Sequence, residues 1–484
     1  MSLSWEKLAA ELRRADLLVS ASGAPRTVSG ITTDSRTAGP GSVYVAVRGS
    51  QADGHRFVAD ALARGAAGVV VESPQAGDMP QLVVRDGRRA AIALASAWYG
   101  YPARRLHLVG ITGTNGKTTT AALLRHLLNE RGTAASIGTI GAIDGAGNPV
   151  TSTAGTLTTP GPVDLQATLA ALAARGVTDV AMEASSHSLD QGRLDGLTFA
   201  AGIFTNLTRD HLDYHGSMDA YLAAKLKLAA LLGVNGIEVV STDDDAWRAL
   251  GSSTRRVTFG LHPDADVRAC DVQLTARGSR FTLSGRFGHA SAELPILGDF
   301  NVANALAAGA CAVALGHSLA DVVERLASAS QVPGRMERLA DRPCVVLRDY
   351  AHTPDALERA LRTLRPLTSG RLVVVFGCGG DRDRGKRPLM GRVAADLADL
   401  AIVTSDNPRS ENPESIIDEI EAGMSGAPHL RIVDRLEAIR HALGGAGPDD
   451  TLLLAGKGHE TYQIIGTERR SFDEREIVAK LVGQ

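Results

Sequence analysis

The sequence predicts an α/β fold of three domains, and three observations lead to it. Short apolar runs alternate with Ala- and Leu-rich stretches of helical period, the pattern of parallel sheets with crossover helices. The chain has 484 residues, and at ~100–200 residues per domain that length holds about three cores. Glycine-rich and polar loops recur directly after apolar runs, which is where doubly wound sheets bind ligands. The expected spans are 1–102, 103–331 and 332–484, the central one built on a P-loop-type parallel sheet and the last Rossmann-like.

The first 16 residues read as a short charged helix without the apolar run of a secretory signal. No stretch approaches the ~20 uninterrupted apolar residues that cross a bilayer. Apolar residues make up 44% of the chain but aromatics only 4%, so the cores must lean on Ala, Val and Leu. A net charge of -3 argues against bulk nucleic acid or anionic lipid as partner, so any bound anion needs a local site. The four cysteines (Cys270, Cys311, Cys344, Cys378) are far apart and form no CxxC pair. They read as small buried residues of a cytoplasmic protein, and a monomer is the default expectation.

In the first segment, Ser42–Val47, Gly68–Val71 and Gln81–Val84 are strand-like. The second opens on the apolar run Leu106–Thr112, followed by Thr112-Gly-Thr-Asn-Gly-Lys-Thr-Thr119. A helix with Leu123, Leu124, Leu127 and Leu128 on one stripe comes next, with Gly132 as its expected stop. This strand–loop–helix is a phosphate site. Gly113, Thr114, Asn115 and Gly116 would present backbone N–H groups, Lys117 would reach the β/γ-phosphates, and Thr118 and Thr119 would follow at the helix N-terminus. Ile111 stands where the strict pattern has its first glycine, so the loop is a shortened variant. A glycine turn before a helix is the bland alternative, and the context favours ATP.

Glu183 closes the apolar run Thr178–Glu183, where a carboxylate suits Mg²⁺ or merely begins a helix. The run Thr208–His215 carries His211 and His215 four residues apart, a possible zinc pair, but it lacks the Glu of HExxH and Gly216 suggests a loop. Tyr221–Lys227 reads as helix, and by default Lys225 on it would be a solvated lysine. In the third segment, polar loops follow the runs Arg371–Phe376, Ala401–Ser405 and Thr451–Ala455. Together these loops are what a composite active site between domains would use.

Several long motifs occur in one order: the phosphate loop, Met182-Glu-Ala-Ser-Ser-His187, Thr205-Asn-Leu-Thr-Arg-Asp-His-Leu-Asp-Tyr-His215, and Gly298-Asp-Phe-Asn-Val-Ala-Asn304. Asp349-Tyr-Ala-His-Thr-Pro-Asp355, Gly377-Cys-Gly-Gly-Asp-Arg-Asp383, Asp406-Asn-Pro-Arg409 and Gly456-Lys-Gly-His-Glu460 follow. From about Thr33 onward the chain resembles the Mur ligases, and the last four motifs resemble those of members that add diaminopimelate.

The resemblance implies an ATP-dependent amide-forming ligase of cell-wall peptidoglycan synthesis, acting on UDP-MurNAc-L-Ala-D-Glu and meso-diaminopimelate. It implies that residues 1–102 hold the uridine nucleotide through Thr33, Asp34, Ser35, Arg36, Ser50, Gln51 and Ala52. Thr158, Thr159, Ser185, Gln191 and Arg193 would hold the muramyl dipeptide; Leu157 replaces an Asn found in some members. Lys225 matches a lysine that CO2 converts to a carbamate, N6-carboxylysine. With Thr118, Glu183 and His211 it would hold Mg²⁺, and Lys117, Glu183, His211 and Lys225 would form the catalytic set. Asn301 and Asp349 would touch the nucleotide. Arg382, Asp406, Asn407, Pro408, Arg409, Gly456 and Glu460 would hold diaminopimelate.

Physical chemistry supports the amino-acid assignment independently. Diaminopimelate carries a distal carboxylate that lysine lacks, and the fork of Arg409 can grip it bidentately. A surface arginine is the alternative at that position. Rival functions are a sister ligase of the same architecture, a P-loop switch or nucleic-acid motor, or an inactive ATP-binding scaffold. A motor would be expected to show the strict Walker glycine and a basic groove, and neither appears in the sequence.

Overall fold

The computed structural model describes residues 3–483 except 26, 50, 51, 131, 151–156 and 254. Its elements are α/β throughout, and the chain divides into two compact units. One comprises residues 1–267 and 307–317; the other comprises 268–306 and 318–484.

The first unit holds two sheets. The N-terminal one runs in the order Leu18–Ser22, Gln81–Val84, Gly68–Val71, Ser42–Val45, Gly30–Thr32, parallel except for its first pair. The helix Trp5–Arg14, N-capped by Ser4, drives Trp5, Leu8 and Leu12 into the core beneath it. Neighbouring strands in the second sheet are Arg256–Gly260, Leu232–Ser241, Phe199–Phe204, His107–Thr112, Asp179–Glu183, Ala134–Gly138 and Gly141–Ile143. Only the last pairing is antiparallel. His107–Thr112 lies between Phe199–Phe204 and Asp179–Glu183, with Thr112 opposite Phe204 and Ile111 opposite Glu183. Three adjacent strands therefore end at one edge and deliver their loops to one place.

In the second unit the sheet order is Glu337–Ala340, Val345–Asp349, Thr451–Ala455, Leu372–Phe376, Leu400–Val403, His429–Arg431. All pairs but the first are parallel. The strands of Val, Leu and Ala are buried on both faces, as parallel strands covered by helices must be. The unit also contains the antiparallel pair Gly278–Gly285 and Gly288–Leu294.

Three expectations need correction. The helix after the phosphate loop ends at Leu128, before Gly132. Asn129 ends it, because its side chain donates to the Gly145 carbonyl and accepts from the Ala134 amide, drawing the chain out of helical course. The segment expected as a loop before Gly216 contains one helical turn, Leu212–His215. Lys225 is not solvated: it lies on the helix Met218–Ala230 in the buried stripe Tyr221, Ala224, Lys225, Leu228. The cysteines are free thiols, three buried and Cys270 half-buried. Among the described residues no helix is long and apolar enough to cross a membrane.

Candidate active site

The phosphate loop is tied to the strand-end loop beside it. Thr114 N–H donates to the Asn206 carbonyl at 2.8 Å and Asn115 N–H to Asn206 Oδ1 at 2.8 Å. Thr205 Oγ1 returns a hydrogen bond to the Asn115 carbonyl at 2.9 Å. Gly113 has φ +147°, and a Cβ there would lie 1.9 Å from Thr205 Oγ1, so only glycine permits this approach. Gly116, at φ +86°, turns the chain into the helix Lys117–Leu128. Lys117 Nζ folds back over the loop, donating to the carbonyls of Gly113 at 2.9 Å and Thr114 at 2.8 Å. The Thr114 and Asn115 N–H groups, expected from the sequence to meet phosphate, are thus taken by Asn206, and the helix N-terminus and the Lys117 ammonium are what the loop offers an anion. Thr118, next on the helix, is buried.

Glu183 is 1% exposed and receives Thr139 N–H at 2.8 Å and Thr139 Oγ1 at 3.1 Å. Gly138 makes room for it, since a Cβ there would sit 2.1 Å from Glu183 Oε1. The residues expected to hold the muramyl dipeptide join the same network. Thr159 Oγ1 donates to the Glu183 carbonyl at 2.8 Å and lies 3.2 Å from Ser185 Oγ. Arg193 donates to Gln191 Oε1 through Nε and Nη2, and to the Thr159 carbonyl through Nη1. Thr158 Oγ1 lies 3.3 Å from Thr139 Oγ1. Leu157 is exposed.

Lys225 closes the other side of the loop. Its Nζ is 2.6 Å from the Gly113 carbonyl and 4.3 Å from the centre of the Tyr221 ring. Burial, then the nearby Lys117 charge, holds its pKa well below the ordinary lysine value. His211 takes a left-handed conformation (φ 53°) that turns its ring toward His187, 4.8 Å between centroids. The His211 side chain keeps 46% of its surface accessible, yet the protein packed around it lowers its pKa, with Asp210 opposing. Burial and the neighbouring His211 and His215 push His187 down to about 4. His187, Tyr221, Asn206 and Thr139 received no role from sequence reasoning. His187 lay inside a quoted motif, whereas Thr139 carried no signal.

The remaining first-unit candidates follow the strand Gly30–Thr32. Asp34 grips Arg36, with Nη2 2.7 Å from Oδ2, and this hydrogen bond holds the carboxyl below its usual range. Ser35 is buried beside it and Thr33 half-buried. Ala52 is exposed, while Ser50 and Gln51 lie outside the described residues.

The second unit gathers the loops expected to bind the amino acid. A Cβ on Gly380 would lie 1.9 Å from the Pro408 carbonyl oxygen and one on Gly456 2.6 Å from Asp406 Oδ2, so these glycines let three strand-end loops close on one another. Asn407 Nδ2 donates to Glu460 Oε2 at 2.8 Å, and Asn407 Oδ1 accepts the Ile464 N–H at 2.9 Å. Burial raises the Glu460 pKa, against the lowering pull of Lys457. Arg409 is half-buried and left-handed (φ 50°), and its Nη1 donates to the Gly380 carbonyl at 2.7 Å. Among the described residues Arg409 forms no ion pair with a carboxylate, whereas the fully buried Arg387 is held by Glu411 and Glu419. Arg382 is exposed, with Nη1 3.0 Å from the Asp381 carbonyl. Asp349 accepts Met336 N–H at 2.7 Å, and burial raises its pKa. Asn301 is fully buried, donating to the Leu297 carbonyl and accepting from Asn304.

Comparison with known proteins decides the family. The Mur ligase catalytic-domain model matches residues 27–99, the Mur ligase middle-domain model 111–312, and the glutamate ligase domain model 334–458. The chain is 45% identical, over 93% of its length and 94% of the relative's, to a UDP-N-acetylmuramoyl-L-alanyl-D-glutamate--2,6-diaminopimelate ligase from Geobacillus kaustophilus. The chain belongs to the Mur ligase family. A second relative of the same name, from Parasynechococcus marenigrum, is 44% identical over 99% of both chains. A solved structure with that name is 33% identical, with TM-score 0.67 over 100% of this Mur ligase and 99% of that chain. MurF from Acinetobacter baumannii, at 22% identity and TM-score 0.68, shares the three-domain fold. In this Mur ligase the middle-domain span takes in the phosphate loop, Glu183, His211, Lys225 and Asn301, and the glutamate-ligase span takes in Asp349 and Asp406–Arg409.

Proposed function

We propose that this Mur ligase joins meso-2,6-diaminopimelate to UDP-N-acetylmuramoyl-L-alanyl-D-glutamate, converting ATP to ADP and phosphate, as a cytoplasmic monomer. The names of its relatives favour this reaction. The observation that carries the choice of amino acid is Arg409, a half-buried guanidinium in ion-pair contact with no carboxylate among the described residues, near the Asn407–Glu460 pair. Diaminopimelate offers the carboxylate for Arg409 and an ammonium for Glu460; lysine leaves the guanidinium unmatched.

In this reading residues 1–102 hold the uridine nucleotide through Thr33, Ser35 and the Ser50–Ala52 segment. Residues 103–331 hold ATP and the dipeptide, and 332–484 hold the amino acid. The γ-carboxylate of the dipeptide's glutamate attacks the γ-phosphorus of ATP, forming an acyl phosphate as the bond to ADP breaks. The amine of diaminopimelate adds to the acyl carbon, loses a proton, and phosphate leaves. Two anions approach in the first step, and Lys117 with the N-terminus of its helix offsets their repulsion. Thr159, Ser185, Gln191 and Arg193, already one network, orient the carboxylate beside Glu183. Asn301 and Asp349 act on the nucleotide.

The donors suit Mg²⁺, which takes oxygen ligands and needs only one or two protein carboxylates when phosphate oxygens complete its shell. Glu183 and the Thr118 hydroxyl are oxygen donors, His211 stands within the field of Lys117 and Lys225, and a carbamate on Lys225 would add an anionic oxygen where the unmodified side chain brings an amine. Bound there, Mg²⁺ would screen charge between the phosphate and the attacking carboxylate.

The test is ADP release measured with each substrate omitted in turn. Release that needs both the UDP-dipeptide and diaminopimelate supports the reading; release with neither, or stimulated by DNA, overturns it. Arg409→Ala is expected to lower kcat/KM for diaminopimelate about 100-fold or more, with little change in the poor turnover of lysine. Equal losses for both amino acids would remove Arg409 from recognition.

A further inference from the structure

We infer that Lys457 is a positioning residue of the amino-acid pocket, the internal cation that fixes Asn407 and Glu460 in their ligand-binding arrangement. The inference rests on the proposed amino-acid site but assigns a residue to which no role has been given. Lys457 is fully buried, yet it stands in a loop at the open end of the sheet, between Gly456 and Gly458. Both glycines have positive φ, +111° and +53°, and a Cβ on Gly458 would lie 2.6 Å from Tyr350 Cβ. The loop therefore passes tightly over its neighbours and sends the lysine inward.

Among the described residues the ammonium has three oxygen partners. It donates to Asn407 Oδ1 at 3.2 Å and lies 3.5 Å from Asp406 Oδ1 and 3.7 Å from Glu460 Oε2. Burying a lysine is costly unless it is paired and hydrogen-bonded, so the group is held in place by these contacts. Lys457 and the Ile464 N–H both donate to Asn407 Oδ1, which orients the amide so that Nδ2 faces Glu460. The Ile464 carbonyl in turn accepts the backbone N–H of Arg409 at 3.1 Å. One ammonium thus sets the amide that aligns the ammonium-binding carboxylate and anchors the segment carrying the carboxylate-binding arginine. It also supplies a countercharge to two carboxylates of the pocket, Asp406 and Glu460.

A cycle of Lys457→Met, Glu460→Gln and the double variant tests this, with KM for ATP, for the UDP-dipeptide and for diaminopimelate measured separately. Lys457→Met is expected to raise KM for diaminopimelate about ten-fold or more, leaving the other two KM values within about two-fold. The double variant is expected to be no worse than the poorer single one, because Lys457 acts through Glu460. Losses that multiply in the double variant, or a parallel rise in all three KM values, would overturn the inference and make Lys457 a general stabiliser. Should Lys457→Met fail to fold, Lys457→Gln, which keeps a donor toward Asn407, is read in the same cycle. If the wild type turns over a different amino acid, the proposed substrate is wrong, and the cycle is read on the KM of the accepted one.

Discussion

Lys117→Ala loses about 10³-fold in ADP release while binding of the UDP-dipeptide survives, the first of two large effects expected from the phosphate loop. The separation follows from the contacts. Lys117 Nζ donates to the carbonyls of Gly113 and Thr114, both in the loop. The dipeptide candidates Thr159, Ser185, Gln191 and Arg193 hold one another through bonds that do not involve it. Removing the ammonium leaves the loop shaped by Thr205 and Asn206 but takes away the charge that meets a transferring phosphoryl group. Calorimetric titration with the UDP-dipeptide and an ADP-release assay read the two consequences independently. Loss of both would mean that the side chain supports the fold rather than the chemistry.

Much of this was legible in the sequence because parallel strands announce themselves. Gly68–Val71, Gln81–Val84 and Thr451–Ala455 begin and end where their apolar runs do. Polar loops after such runs necessarily collect at one sheet edge, which is why the phosphate loop, Glu183 and Asn206 meet. Helix ends were less legible. Gly132 carries the composition of a helix stop, but Asn129 acts first, through a bond to Gly145 that no local rule contains. Lys225 illustrates a signal that was present and outweighed: it sits at the i+4 position from Tyr221 on the buried stripe, although a lysine on a helix is ordinarily solvated. Lys457 could have been flagged as a charge between two glycines after an apolar strand. Its cage, however, spans Asp406 to Glu460 and exists only once the loops have packed.

Lys225→Ala is expected to be inactive, by about 10³-fold, and to recover part of its activity with formate or acetate. Two roles for this side chain are chemically opposite. As an ammonium it would simply brace the Gly113 carbonyl, 2.6 Å away. As a carbamate it would be an anion: the neutral amine adds to CO2, a proton leaves, and Nζ keeps one hydrogen with which it can still donate to Gly113. Burial disfavours the charged amine, and the adjacent Lys117 cation favours an anion in its place. The rescuing molecule distinguishes the two. A small carboxylate can fill the space of the missing group and restore the oxygen ligand, whereas ethylammonium can restore only the cation. Rescue by ethylammonium alone, or full activity of Lys225→Ala without any additive, would sink the carbamate. The wild-type enzyme gives a matching readout without mutation, since exhaustive removal of CO2 should lower its turnover and bicarbonate should restore it.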